Sequence, residues 1–318
     1  MPGSRDLTLA VTAGDPRGIG PEVFTKAAAA LRAQPHPPRL VLVGPAGTGA
    51  EAAADDFLSI GTWHPGGGID EAGALAGAAI ERAAGMCLAG EVAGLVTAPI
   101  DKAALHAGGY RFPGHTEMLA HLAGVQHVVM LMDAERTALG GPLRVVLATT
   151  HLRLAAVTAA LSIDLIVRQA TITAEGLRRG WGLPHPRLAL CALNPHASDG
   201  GLFGDEEARI LVPARERLAA DGIAATGPIP ADTVFVRAVR GEFDVVIAPY
   251  HDVGMAAFKT AAFGSGVNVT LGLPFVRTSP DHGTALDIAG RGIADPGSMI
   301  EAIRLAARLA AAKKDSES

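Results

Sequence analysis

Three histidines stand just beyond apolar runs of strand length. His151 follows Leu147-Ala148-Thr149-Thr150, His196 lies in Leu193-Asn194-Pro195-His196, and His251 lies in Ala248-Pro249-Tyr250-His251-Asp252. Three imidazoles delivered from three strand ends could converge on one divalent ion and leave a coordination position open. That ligand number belongs to a catalytic rather than a structural site. Spacing alone also describes three loop histidines with local hydrogen bonds, and for a set so far apart in sequence that is the commoner outcome.

Other groups could bind anions or a flat ligand. Lys259, Asn268 and Arg277 combine a point charge, a neutral donor and a planar fork, a set able to hold a phosphate; taken singly, each reads as a surface or structural residue. In Phe112-Pro113-Gly114-His115-Thr116-Glu117, Thr116 is expected to cap a helix whose first N–H groups could meet an anion, although a capped helix start alone explains the pattern. From Ser279 to Gly290 the chain reads SPDHGTALDIAG, in which a short helix is expected after Gly283, followed by Gly290-Arg291-Gly292. Glycines there let backbone approach a ligand closely, or serve a tight turn. A dinucleotide-binding GxGxxG motif is missing after the first strand, since Gly14-Asp15-Pro16-Arg17-Gly18-Ile19-Gly20 has the wrong spacing. P-loop and GxSxG patterns are missing as well.

The elements that must position these groups alternate. Leu7–Thr12, Arg39–Val43, Val92–Val96, Leu143–Ala148, Arg187–Ala192, Val245–Ala248 and Val267–Thr270 read as buried strands. Pro21–Arg32, Glu71–Ala89, Ile163–Arg179, Asp205–Ala220 and Pro296–Ala312 carry helical spacing. The alternation predicts an α/β fold with a largely parallel sheet covered on both faces, and in such sheets ligands bind at the carboxyl ends of strands.

Composition narrows the function classes. The 318 residues exceed one ordinary core and suit two lobes. A net charge of −5 without a basic block argues against nucleic acid. Cys87 and Cys191 are the only cysteines, so neither a disulfide framework nor a cysteine zinc site is expected, and a reducing cytoplasm is the default. The apolar stretches fall short of the roughly 20 residues of a membrane span, so no membrane partner is expected.

Taken together and in order, several segments resemble the 4-hydroxythreonine-4-phosphate dehydrogenase family of vitamin B6 (pyridoxine) biosynthesis. They are AGDPRGIGPE at 13–22, GHTE at 114–117, TTH at 149–151, NPH at 194–196, PIPADT at 228–233, His251-Asp252, and GVNVTLGLPFVRTSPDHGTALDIAG at 266–290. The resemblance implies a fold of two α/β lobes around a central cleft, like that of isocitrate and isopropylmalate dehydrogenases and without a standard Rossmann domain. Residues 1–128 and 272–318 would form an NAD-side lobe and 129–271 a metal and dimerisation lobe. It implies that His151, His196 and His251 hold one divalent metal of zinc, magnesium or cobalt type at the interface of a homodimer with a shared active site. His115, Thr116, Lys259, Asn268 and Arg277 would contact substrate, and Asp232 and Lys259 would be catalytic. The segment His282–Gly290 is similar to the adenine-side loop of those enzymes, so His282, Gly283, Thr284, Asp287 and Gly290 would bind NAD or NADP.

The implied reaction oxidises the secondary alcohol of 4-phosphooxy-L-threonine to a β-keto acid that decarboxylates to 3-amino-2-oxopropyl phosphate. The chain departs from the family's usual pattern at Ala13, Arg17, Ala197-Ser198-Asp199 and Val253. Those departures leave open threonate or erythronate 4-phosphate, or an aromatic dihydrodiol, as the substrate. A non-catalytic metal- or phosphate-binding protein, or a transferase on a related fold, is the alternative class.

Overall fold

The computed structural model describes residues 7–317 and resolves two compact units, residues 1–128 with 267–318 and residues 129–266. The chain returns to the first unit at 266/267, so the strand at Val267–Leu271 belongs there, five residues earlier than the boundary the resemblance implies.

The first unit is built on β1 (Thr8–Thr12), β2 (Arg39–Ala46), β3 (Asp56–Thr62) and β4 (Gly94–Thr97) with α1 (Gly20–Arg32), α2 (Ile69–Leu88), α3 (Lys102–Ala107) and α4 (His115–Leu122). The second unit follows, with β5 (Val129–Ala134), β6 (Leu143–Leu147), α5 (Leu154–Ala160), α6 (Ile163–Trp181), β7 (Leu188–Cys191), α7 (Val212–Ala220), β8 (Ala225–Ile229), α8 (Ala231–Val239), β9 (Val245–Ala248) and α9 (His251–Ala262). The chain then closes the first unit with β10 (Val267–Leu271), β11 (Val276–Pro280) and α10 (Gly297–Glu317).

Strand order in the first unit is β3-β2-β1-β4-β11-β10, parallel except for the β10/β11 pair. In the second it is β5-β6-β9-β7-β8, parallel except for β5/β6. Leu9, Ala10, Val11 and Thr12 are all fully buried on β1, as parallel strands covered on both faces require.

The helices follow ordinary end rules. α1 carries proline in its first turn, Glu22 near its positive end and Arg32 near its negative end. The Ser162 side chain caps α6 by accepting from the Leu165 N–H at 3.2 Å, and Gly182 ends it in the left-handed region at φ 65°. Ile166, Val167, Ala170, Thr173, Ala174 and Leu177 form its buried stripe.

All seven expected strands are present, and four more were missed. β3 and β8 sit at sheet edges, where apolar content is low; β5 and β11 are the antiparallel members. The expected helix at 205–220 begins as a π-helical turn over Glu207–Leu211 before continuing as α7. No single described helix is long and apolar enough to cross a membrane.

Candidate active site

In the second unit the three expected metal ligands all leave the carboxyl ends of neighbouring parallel strands. β9 lies between β6 and β7, and these three strands launch His251, His151 and His196 respectively. Adjacency of β6 and β9 brings two of them together: the His151 and His251 ring centroids are 5.6 Å apart with an interplanar angle of 41°. Two imidazoles bound to one ion at about 2.0–2.1 Å place their centroids roughly 5–6 Å apart, so this pair fits a shared ion.

His251 is the first residue of α9, and its Nδ1 lies 2.8 Å from Asp252 Oδ1. A proton on Nδ1 donated to that carboxylate leaves Nε2 its lone pair, the tautomer a metal ligand needs. The pair lines a small cavity with Thr150, Leu152, Tyr250 and Asp252.

His196 does not join them. Among the described residues there is no group of three or more histidine, cysteine or carboxylate side chains able to hold a metal within one chain. After β7 the chain enters a tight turn, Pro195–Gly201, in which His196, Ala197, Ser198, Asp199 and Gly200 have φ of 53°, 55°, 70°, 44° and 67°. Four side-chain-bearing residues in the left-handed region cost about 1–2 kcal/mol each, so the turn needs an external hold. The hold comes from Glu207, which is 3% exposed. Its Oε1 accepts from the Leu193 and Asn194 N–H groups at 2.9 and 2.7 Å, and its Oε2 accepts from Asn194 Nδ2 at 2.9 Å and from the Ser198 hydroxyl. Burial alone would raise its pKa; these donors outweigh burial and hold it below the usual carboxylate value. Asp232 is exposed in the first turn of α8, and Lys259 is half-buried on α9 with its Nζ 5.8 Å from the Phe263 ring centre.

In the first unit, Arg277 sits on β11 and is 2% exposed. It donates to the Thr270 hydroxyl at 2.9 Å and the Thr97 hydroxyl at 2.7 Å, while its Nε is buried without a partner. No carboxylate stands within ion-pair distance of it among the described residues. Burial lowers its pKa to about 10, partly offset by the field of Glu117. The guanidinium is therefore a cation at neutral pH, buried without a counter-ion, an arrangement that is costly unless an anion arrives.

His115 opens α4 after Gly114, so Thr116 is inside the first turn and is not the cap expected from the sequence. The His115 ring is half-buried, but its Nε2 is shut off from solvent without a partner. Desolvation, then the charge of Arg277, push its pKa well below the usual imidazole value. Asn268 on β10 has a buried, unpartnered Oδ1.

The short helix expected after Gly283 does not form. Residues 281–296 make successive turns, with the Ile288 N–H bonded to Ala285 O and the Arg291 N–H to Ile288 O. Ala285 at φ 42° and Gly290 at φ 73° break helical continuity. His282 Nδ1 lies 3.0 Å from Gly283 O, and its Nε2 is buried without a partner. Thr284 O accepts from the Ile19 N–H at 2.9 Å, tying this loop to the glycine-rich segment after β1. A Cβ on Gly18 would stand 2.8 Å from Thr284 O, so only glycine permits that approach. Gly290 lines a cavity of about 720 Å³ with Arg17, Lys26, Thr48 and Trp63, while Asp287 is exposed.

Sequence reasoning missed several contributors. Thr270 ends an expected strand and Thr97 lies just past another, yet their hydroxyls accept from the Arg277 fork. Glu207 lies inside the helix expected over 205–220, and nothing in Asp205-Glu206-Glu207 signals its burial. Arg17 pairs with the buried Asp15, Nε–Oδ1 3.0 Å and Nη2–Oδ2 2.7 Å, and proximity in sequence was the available clue.

The two α/β units share their fold with the isocitrate dehydrogenases. One such enzyme, from Methylococcus capsulatus, shares the fold at a TM-score of 0.53 and 15% identity, covering 98% of this chain and 88% of that one. Residues 21–306 match the family model described as pyridoxal phosphate biosynthetic protein PdxA, and the chain belongs to that family.

A Caulobacter vibrioides 4-hydroxythreonine-4-phosphate dehydrogenase is 44% identical over 325 residues, covering 95% of this chain and 97% of the relative. A Bradyrhizobium diazoefficiens relative provisionally named D-threonate 4-phosphate dehydrogenase is 41% identical over 98% of this chain and 99% of its own length. The crystal structure of 4-hydroxythreonine-4-phosphate dehydrogenase from Klebsiella pneumoniae superposes with a TM-score of 0.85 at 39% identity, covering 96% of this chain and 98% of that chain. These dehydrogenase names make the family one of oxidoreductases.

Proposed function

We propose that this chain oxidises the secondary alcohol of 4-phosphooxy-L-threonine, with NAD or NADP as hydride acceptor, to a β-keto acid that loses carbon dioxide to give 3-amino-2-oxopropyl phosphate. The observation that carries this reading is Arg277: a buried guanidinium, oriented by two threonine hydroxyls and lacking a carboxylate, suits a phosphate dianion. Asn268, Thr116, His115 and Lys259 complete the substrate contacts. Remote phosphate binding then positions the reacting carbon. His282, Gly283, Thr284, Asp287 and Gly290 form the cofactor loop, consistent with its open backbone. Asp232 and Lys259 handle protons.

A divalent ion held by His151 and His251, with His196 joining at the interface of a homodimer, would supply Lewis-acid polarisation of the alcohol and of the developing carbonyl. Exposed apolar side chains follow two of these histidines: Leu152 and Leu154 after His151, and Leu202 and Phe203 after the His196 turn. A second copy covering them would bury that surface and exclude water from the site. The reaction would belong to pyridoxine biosynthesis in the cytoplasm.

The name of the Bradyrhizobium relative supports threonate 4-phosphate as the second reading, which uses the same phosphate site. The test is NAD(P)H production with zinc, magnesium or cobalt on a panel of 4-phosphooxy-L-threonine, threonate and erythronate 4-phosphates and an aromatic dihydrodiol. Turnover of the first supports the proposal. Turnover of the dihydrodiol alone, or of nothing, removes it.

A further inference from the structure

Glu207 is a carboxylate with four donors arranged around the turn, and Glu206 adds one contact, its Oε2 accepting from Asn194 Nδ2 at 2.8 Å. The partners of Glu207 lie on both flanks of His196: Leu193 and Asn194 before it, Ser198 after it. His196 itself is exposed and lies in the left-handed region at φ 53°. An exposed residue of that type, followed by three more left-handed residues with side chains, has no local reason to stay there. Ser198 at φ 70° is held in the same region by its own hydroxyl contact with the carboxylate.

We infer that Glu207 is the positioning residue for His196: by gripping the turn on both sides it fixes where the imidazole is presented for metal binding. The inference rests on the metal reading above and adds a residue outside the set of histidines. Groups that orient metal ligands raise metal affinity, because an unheld ligand must be ordered when the ion binds. Gln at 207 keeps one acceptor and turns the other into a donor, facing the Asn194 amide and the Ser198 hydroxyl. It is nearly isosteric, so the change falls on the hydrogen bonds and not on packing.

The test measures zinc affinity of the full-length protein by titration, together with hydrogen exchange at residues 193–203 of the metal-free protein, for wild type, Glu207→Gln, His196→Ala and the double variant Glu207→Gln/Ala197→Gly. Glu207→Gln is expected to weaken zinc binding by about 10- to 100-fold and to speed exchange of the Leu193 and Asn194 amides. Glycine at 197 removes a Cβ from the left-handed turn and is expected to recover part of the lost affinity. Faster exchange with unchanged zinc affinity overturns the inference, because Glu207 is then only structural; so does a loss that glycine does not recover. If His196→Ala binds zinc as wild type does, the metal reading itself fails. The bracing is then judged on exchange alone, and unchanged exchange in Glu207→Gln overturns it. Should Glu207→Gln not fold, Ser198→Ala removes only the hydroxyl contact and is expected to weaken zinc binding in the same direction, an unchanged affinity again counting against the proposal.

Discussion

Replacing Arg277 with Met separates binding from stability. The side chain is buried, donates to Thr97 and Thr270 and has no carboxylate partner. In the phosphate-bound state its unpartnered donors would make one or two charge-assisted hydrogen bonds. Each is worth about 1.5–3 kcal/mol, for a total of roughly 2–6 kcal/mol. At 1.4 kcal/mol per tenfold, kcat/KM on a phosphorylated substrate is expected to fall on the order of 30- to 10,000-fold.

Folding stability should change far less. Met fills a similar volume and removes a desolvated charge, although it leaves the two threonine hydroxyls with one partner fewer. The net change is expected within about 1–2 kcal/mol of zero, and replacement of buried charge is often stabilising. The assay pairs steady-state NAD(P)H production on a phosphorylated acid with the same alcohol lacking phosphate, and adds a thermal melt. An equal loss on both substrates would refute the phosphate assignment. A melting temperature collapsed by many degrees would refute the claim that the charge waits for a ligand.

Three further outcomes follow from the geometry. His115 has a folded-state pKa depressed by burial and by Arg277, so the unfolded state binds more protons as pH falls below about 6.5. Its stabilising contribution is present above that pH and is lost as pH drops toward the folded-state value. His115→Gln should therefore flatten the acid side of a plot of melting temperature against pH, and a slope unchanged from wild type would contradict this. Ser162→Ala removes the cap of α6 and should cost about 1 kcal/mol in denaturant unfolding; no change would mean water replaces the hydroxyl at no cost. His251→Ala should abolish tight zinc binding while leaving the secondary structure seen by circular dichroism intact, and retained nanomolar affinity would remove His251 from the ligand set.

The alternating α/β order was legible because buried parallel strands such as β1 and β9 are continuous apolar runs, and helices such as α6 carry a clean apolar stripe. The elements that escaped notice lacked those signals. β11 reads Val276-Arg277-Thr278-Ser279-Pro280, a largely polar string that is nonetheless buried between β4 and β10. α4 begins at His115 without a side-chain cap; its N-cap is Gly114, two residues before Thr116, the residue expected to cap it. The SPDHGTALDIAG loop has helical-looking composition, but the left-handed Ala285 breaks it, and tertiary contact with Ile19 decides its course. Local sequence contains no statement that β6 and β9 are neighbours. The meeting of His151 with His251 therefore emerged only from the sheet order, and the separate course of His196 only from the left-handed turn after β7.

Carbon dioxide release tests the central claim most directly. Carboxyl-labelled 4-phosphooxy-L-threonine would be incubated with the zinc-reconstituted protein and NAD(P), and labelled carbon dioxide and NAD(P)H would be followed together. Equal amounts of the two, both lost on thorough chelation and both reduced in Arg277→Met, are the predicted result. Reduction of NAD(P) without carbon dioxide, or neither product from any phosphorylated hydroxy acid, would contradict it.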